Sequence, residues 1–132
     1  LWHGHSFTAN PLGCAAANAS LDLLEAEPDR YLGFEARHRS RLEVLARHPG
    51  IRRVRLTGTI AAFDLVVTDQ EGYLNPAGKV LRRLARERGV LVRPLGQVVY
   101  LLPPLCISDE QLDHCYSVLQ EALDLLQKQA TS

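Results

Sequence analysis

Apolar positions recur at helical spacing in four stretches of the chain, and between them they gather into short strand-like runs. Asn10-Pro11 opens the first helix, a capping side chain followed by proline at the first helical position. That helix extends to about Ala26 and is rich in small residues: Gly13, Ala15, Ala16, Ala17, Ala19 and Ser20. Pro28 opens a second, through Tyr31, Phe34 and Leu42 to Leu45, stopped by His48-Pro49-Gly50. Val54 to Leu56 and Ile60 to Val67 read as strands around Gly58, the second largely buried. A third helix spans about Pro76 to Arg88 with Val80, Leu81 and Leu84 inward, and Gly89 stops it. Ser108 with Gln111 three residues on forms a capping box for the last helix. Leu112, Cys115, Leu119, Ala122 and Leu126 give that helix its apolar stripe.

Between the third and last helices, the run from Val92 to Pro104 predicts two short strands with Arg93 at the hinge. Pro94 stops the backbone from continuing as a helix, and Gly96 permits a turn. Gln97 to Leu102 then resumes a β-branched and aromatic run. The order of helices and strands predicts an α+β fold, with helices packed on a small sheet.

Composition narrows the function classes. At 132 residues, 46% hydrophobic and 23% charged, the chain is one globular domain with a real core. Fifteen basic residues balance fifteen acidic ones, so no whole-domain charge argues for nucleic acid or an anionic membrane as a partner. Arg52, Arg53 and Arg55 cluster, as do Arg82, Arg83, Arg86 and Arg88; the second group reads as a solvated helix face beside Glu87. Cys14, Cys106 and Cys115 form no CxxC pair, and neither a zinc site nor a disulfide framework is expected. Cys14 and Cys115 fall on apolar helix faces, where a buried reduced thiol is expected. No membrane-spanning run or signal-peptide pattern is evident, and a cytoplasmic location is expected. With no methionine anywhere, Leu1 reads as an internal cut.

Two constellations carry candidate chemistry. Arg93, at a turn between apolar runs with no acidic neighbour in sequence, suits a fork for a carboxylate ligand. A surface arginine at a strand end is the competing reading. The N-terminal loop from His3 to Gly13 gathers hydroxyls, a glycine and a helix N-terminus, an arrangement fit for an anion such as phosphate or simply a polar capped loop. His3 and His5 are too few to hold a metal. Lys79, on a helix, and Lys128, near the chain end, lie in no setting that would depress an ammonium pKa for Schiff-base chemistry.

The segment His3-Gly4-His5-Ser6-Phe7-Thr8-Ala9-Asn10-Pro11-Leu12-Gly13-Cys14-Ala15 resembles the HG-x-(S/T)-aromatic…NPL-small-C-A segment of class III pyridoxal-phosphate aminotransferases. Arg93-Pro94-Leu95-Gly96 followed by Tyr100-Leu101-Leu102-Pro103-Pro104 is similar to the members of that class that act in biotin biosynthesis. Those members transfer an amino group from S-adenosylmethionine to 8-amino-7-oxononanoate. The resemblance extends over essentially the whole chain.

It implies that residues 1–132 form the small C-terminal domain of a fold-type-I homodimeric enzyme, with the loop 1–10 contributing to the cofactor site. Ser6, with the His5 backbone beside it, falls where the phosphate of pyridoxal 5'-phosphate is bound across the subunit boundary. Gly4 falls where the main chain borders the substrate, and Arg93 where the keto acid's carboxylate is gripped, with Tyr100 nearby. Many relatives have Pro-Thr at His5-Ser6; serine keeps the hydroxyl and loses the β-branch that fixes its rotamer. The Schiff-base lysine, the aspartate facing the pyridine nitrogen and the aromatic residue stacking on the ring belong to a domain upstream. The parent protein is thus expected to be the enzyme, and the chain alone inactive. A free-standing carboxylate-binding or interaction module remains an alternative, as does the same domain of an ornithine or ω-amino-acid aminotransferase.

Overall fold

The computed structural model describes residue 4 and residues 8–66 and 75–131. The chain divides into two compact units, Leu1–Leu32 and Gly33–Ser132.

The first unit holds helices α1 (Pro11–Ala26) and α2 (Pro28–Leu32). Asn10 caps α1 as its sequence predicts, its side-chain oxygen accepting from the N–H groups of Leu12 and Gly13 at 3.0 and 3.3 Å. No residue of α1 is buried; Leu12, Leu21 and Leu23 are largely exposed. Cys14 is exposed too, against the expectation of a buried thiol. The single helix expected from Pro28 to Leu45 is two. Gly33, with no side chain and a high entropic cost in a helix, separates α2 from α3 (Phe34–Leu45).

The second unit is α+β. Strands β1 (Ile51–Thr57), β2 (Ile60–Leu65) and β3 (Val98–Leu101) form an antiparallel sheet in that order, and α4 (Ala77–Arg86) and α5 (Asp109–Thr131) complete it. Gly58, at φ +54°, opens the two-residue turn between β1 and β2, a conformation that an L side chain rarely adopts. Ala61, Phe63 and Leu65 of β2 and Val99 and Leu101 of β3 alternate onto one face. They join Phe34 and Leu42 of α3, Leu81 and Leu84 of α4, and Leu112, Leu119 and Leu123 of α5 among the buried residues. The capping box forms as expected: Gln111 N–H donates to Ser108 Oγ, and Ser108 N–H donates to Gln111 Oε1.

Polar contacts tie the helices over long sequence separations. Arg41 reaches Asp113 at 2.6 Å and Asp109 at 3.1 Å, and Arg37 reaches Asp109 at 3.0 Å, which fastens α3 to the start of α5. These contacts hold the Asp109 carboxyl below its ordinary pKa, the Arg37 hydrogen bond being the largest cause. His38 is fully buried between Phe34 and Tyr116, its Nδ1 2.8 Å from the Tyr116 hydroxyl. Burial is the main reason that the His38 pKa is lowered and that of Tyr116 raised. His48 Nδ1 accepts from Gly50 N–H at 2.9 Å, which leaves Nε2 as the donor to Asp124 at 3.1 Å.

Candidate functional site

The Arg93 segment begins where α4 ends. Gly89, at φ +80°, stops the helix, and Val90 N–H closes back onto the Ala85 carbonyl at 3.0 Å. Val90 and Val92 are then buried, while Leu91 and Arg93 are exposed. This alternation is that of a strand, but the predicted strand before Arg93 does not form. Val90 spends its N–H on the helix end and Pro94 has none to give, and among the described residues the segment pairs with no neighbour until Leu95.

Leu95 and Val98 exchange both backbone bonds, at 2.8 and 3.1 Å, around Gly96 and Gln97. Gly96 has φ +62° and Gln97 is not among the positive-φ residues, the pattern of a type II′ turn. The turn is anchored on its far side as well, for Gln97 is buried and its carbonyl accepts from Leu65 N–H at 2.9 Å. Arg93 therefore stands on solvent-facing backbone just before a firmly held turn. Among the described residues it has no acidic partner. That leaves five N–H donors in a rigid fork, suited to a carboxylate brought from elsewhere.

Tyr100 lies on β3 opposite Ala62, half-buried and on the sheet face away from Val99 and Leu101. The same face holds Asp64, which sequence reading passed over. A β-bulge between Arg52 and Arg55 puts Arg53 at φ +50° and aims two guanidinium groups at this buried carboxylate. Arg55 Nη2 sits 2.7 Å from Oδ1, and Arg53 Nη1 3.3 Å from Oδ2. The signal was present: Asp64 is the lone charge in an otherwise apolar run.

Gly4 is exposed, with open space where a Cβ would stand. It belongs to the first compact unit and Arg93 to the second. His5 and Ser6 lie outside the described residues. A carbonyl cofactor held covalently needs a lysine that burial keeps unprotonated. Lys79 and Lys128 are both exposed.

Residues 1–123 match the family model described as Aminotransferase class-III. The chain belongs to that family. Over 123 residues it is 53% identical to the adenosylmethionine-8-amino-7-oxononanoate aminotransferase of Synechococcus elongatus, covering 93% of this chain and 29% of that protein. The enzyme of the same name from Geobacter sulfurreducens is 38% identical over 92% of the chain and 28% of its own length. Among solved structures, that of the Methanocaldococcus jannaschii adenosylmethionine-8-amino-7-oxononanoate aminotransferase superposes with a TM-score of 0.81 at 30% identity, covering 94% of this chain and 30% of that one. A transaminase solved with L-alanine gives 0.85 at 28% identity, over 97% of this chain and 32% of that one. The chain thus spans about three-tenths of the length of these class III relatives, and its α+β fold is that of the corresponding part of them.

Proposed function

We propose that residues 1–132 are the small C-terminal domain of a cytoplasmic, homodimeric, pyridoxal-phosphate-dependent aminotransferase that moves an amino group from S-adenosylmethionine to 8-amino-7-oxononanoate in biotin biosynthesis. In this reading Arg93 grips the keto acid's carboxylate, far from the carbon that reacts. Ser6, with the His5 backbone, binds the cofactor phosphate of the neighbouring subunit, and Gly4 borders the substrate, with the loop 1–10 as part of the cofactor site. Pyridoxal 5'-phosphate, when bound, supplies the carbonyl through which an amino group is carried from donor to acceptor. The chain's own residues bind and orient: a carboxylate fork on one segment, a hydroxyl on another.

The observation that carries the reading is Arg93 itself, an exposed guanidinium without an acidic partner among the described residues, ahead of a turn pinned at Leu95, Gln97 and Val98. The names of the 53% and 38% identical relatives support the choice of substrates. The likeness to a transaminase solved with L-alanine favours a second reading, a class III enzyme using an amino-acid or amine donor.

The experiment is to express the full-length protein that contains this chain and supply 8-amino-7-oxononanoate with either S-adenosylmethionine or L-alanine. Formation of 7,8-diaminononanoate with S-adenosylmethionine is expected. Turnover with L-alanine and none with S-adenosylmethionine would favour the second reading.

A further inference from the structure

Helix α4 touches the Arg93 segment at a place where no side chain fits. Gly78, in the first turn of α4, is buried. A Cβ added there would stand 2.0 Å from the Gly96 carbonyl oxygen, 2.8 Å from Pro94 Cβ and 3.2 Å from the Gly96 carbonyl carbon. Two of these three atoms are backbone, and the third belongs to the ring that directly follows Arg93. None is the free end of a flexible side chain that turns aside.

We infer that Gly78 is a positioning residue for Arg93: its missing side chain lets the first turn of α4 seat against Pro94 and Gly96, and that seat fixes where the guanidinium projects. The inference rests on the reading of Arg93 as the carboxylate fork.

Neither side of this contact yields easily. On the helix side, Asn75 accepts from Ala77 N–H at 2.8 Å, and the Pro76 carbonyl accepts from the N–H groups of Lys79 and Val80 at 2.9 and 3.2 Å. Further along α4, Leu81 and Ala85 are fully buried. On the loop side, the Leu95–Val98 pair and the bond from Leu65 N–H to the Gln97 carbonyl hold the turn to the sheet. Among the described residues, Arg93 and Pro94 make no such ladder bond. To reach an ordinary contact of 3.4 Å with a methyl group at position 78, the Gly96 carbonyl oxygen has to retreat by about 1.4 Å and Pro94 Cβ by about 0.6 Å, and Arg93, joined directly to Pro94, shifts with them. A misplacement of about an ångström in a binding group costs up to roughly a hundredfold in rate.

The test is Gly78→Ala in the full-length enzyme, assayed with 8-amino-7-oxononanoate and S-adenosylmethionine. Alanine is the better helix former, so thermal unfolding serves only as a check on folding. KM for the keto acid should rise about 10- to 100-fold, with kcat held within about threefold. On an Arg93→Ala background the same substitution should add less than about threefold, because the fork it displaces is gone. An equal loss on both backgrounds overturns the inference and makes Gly78 a packing residue alone. If Arg93→Ala raises the keto-acid KM and Gly78→Ala does not, the carboxylate reading stands and the positioning role falls. If Arg93→Ala has no effect, both fall together.

Should Gly78→Ala fail to fold, Pro94→Gly probes the contact from its other side, removing the ring that α4 bears on while keeping Gly78 and Arg93. That variant should raise the keto-acid KM about tenfold, and a folded Pro94→Gly enzyme with unchanged KM also overturns the inference.

Discussion

Arg93→Ala in the full-length enzyme separates the two readings of this side chain through the size of its effect. In the chain as described Arg93 is exposed and has no acidic partner among the described residues. An ion pair formed at such a surface is worth about 0.2–1 kcal/mol, so its loss would change the keto-acid kcat/KM by roughly fivefold at most. If the remainder of the enzyme closes over the fork and dries it, truncation costs about 2–4 kcal/mol, or roughly 30- to 1000-fold. The larger figure is expected, and it should fall mainly on KM, since the carboxylate lies far from the reacting carbon and is held equally in ground and transition states. Arg93→Lys should recover only part, because an ammonium on a flexible stem offers a point charge and not a planar fork. The assay is steady-state kinetics with each substrate varied in turn, alongside a thermal melt. A folded Arg93→Ala enzyme whose keto-acid KM moves less than about fivefold refutes the reasoning, and Arg93 is then an arginine at a solvent-facing turn.

Ser6→Ala should weaken retention of pyridoxal phosphate about 10- to 100-fold, the loss of a charge-assisted bond worth about 1.5–3 kcal/mol; dimers carrying the change in one subunit only test whether the contact crosses between subunits. His38 has a folded pKa below 6.5, so the unfolded chain takes up its proton first as pH falls. Its contribution is whole above about pH 6.5 and is lost below it, by up to about 1.4 kcal/mol per pH unit, and urea midpoints at pH 7.5 and 5.5 should converge in His38→Gln. Tyr116→Phe should cost about 1–3 kcal/mol by leaving the buried His38 Nδ1 without its 2.8 Å partner, read as a shift of the urea midpoint at neutral pH. Gly89→Ala should destabilise by about 1–2 kcal/mol in the same measurement through backbone conformation alone, since φ is +80° and nothing lies within 4 Å of the added methyl.

What the sequence determined by itself is what short-range chemistry decides. Asn10-Pro11, Gly89 and the Ser108–Gln111 box work through groups within a few residues of one another, and each does what its residue type dictates. The largely buried run of β2 and the stripe of α5 are legible for the same reason. The resemblance found in the Arg93-to-Pro104 run and the N-terminal loop named the class III family correctly, because motifs of that kind are contiguous in the chain.

Tertiary structure alone decided the rest. A strand exists only if a neighbour accepts its hydrogen bonds, and among the described residues the apolar run before Arg93 finds none until Leu95 despite its alternation. Buried Asp64 meets two arginines at a bulge on the neighbouring strand, and buried His38 meets a tyrosine 78 residues further on. Cys14 is exposed although its helix face reads as apolar, since packing decides the burial of a side chain and helical spacing does not. Gly78 shows the limit most directly: in sequence it is a small residue near a helix start, and only the approach of the Gly96 carbonyl makes the absence of its side chain matter.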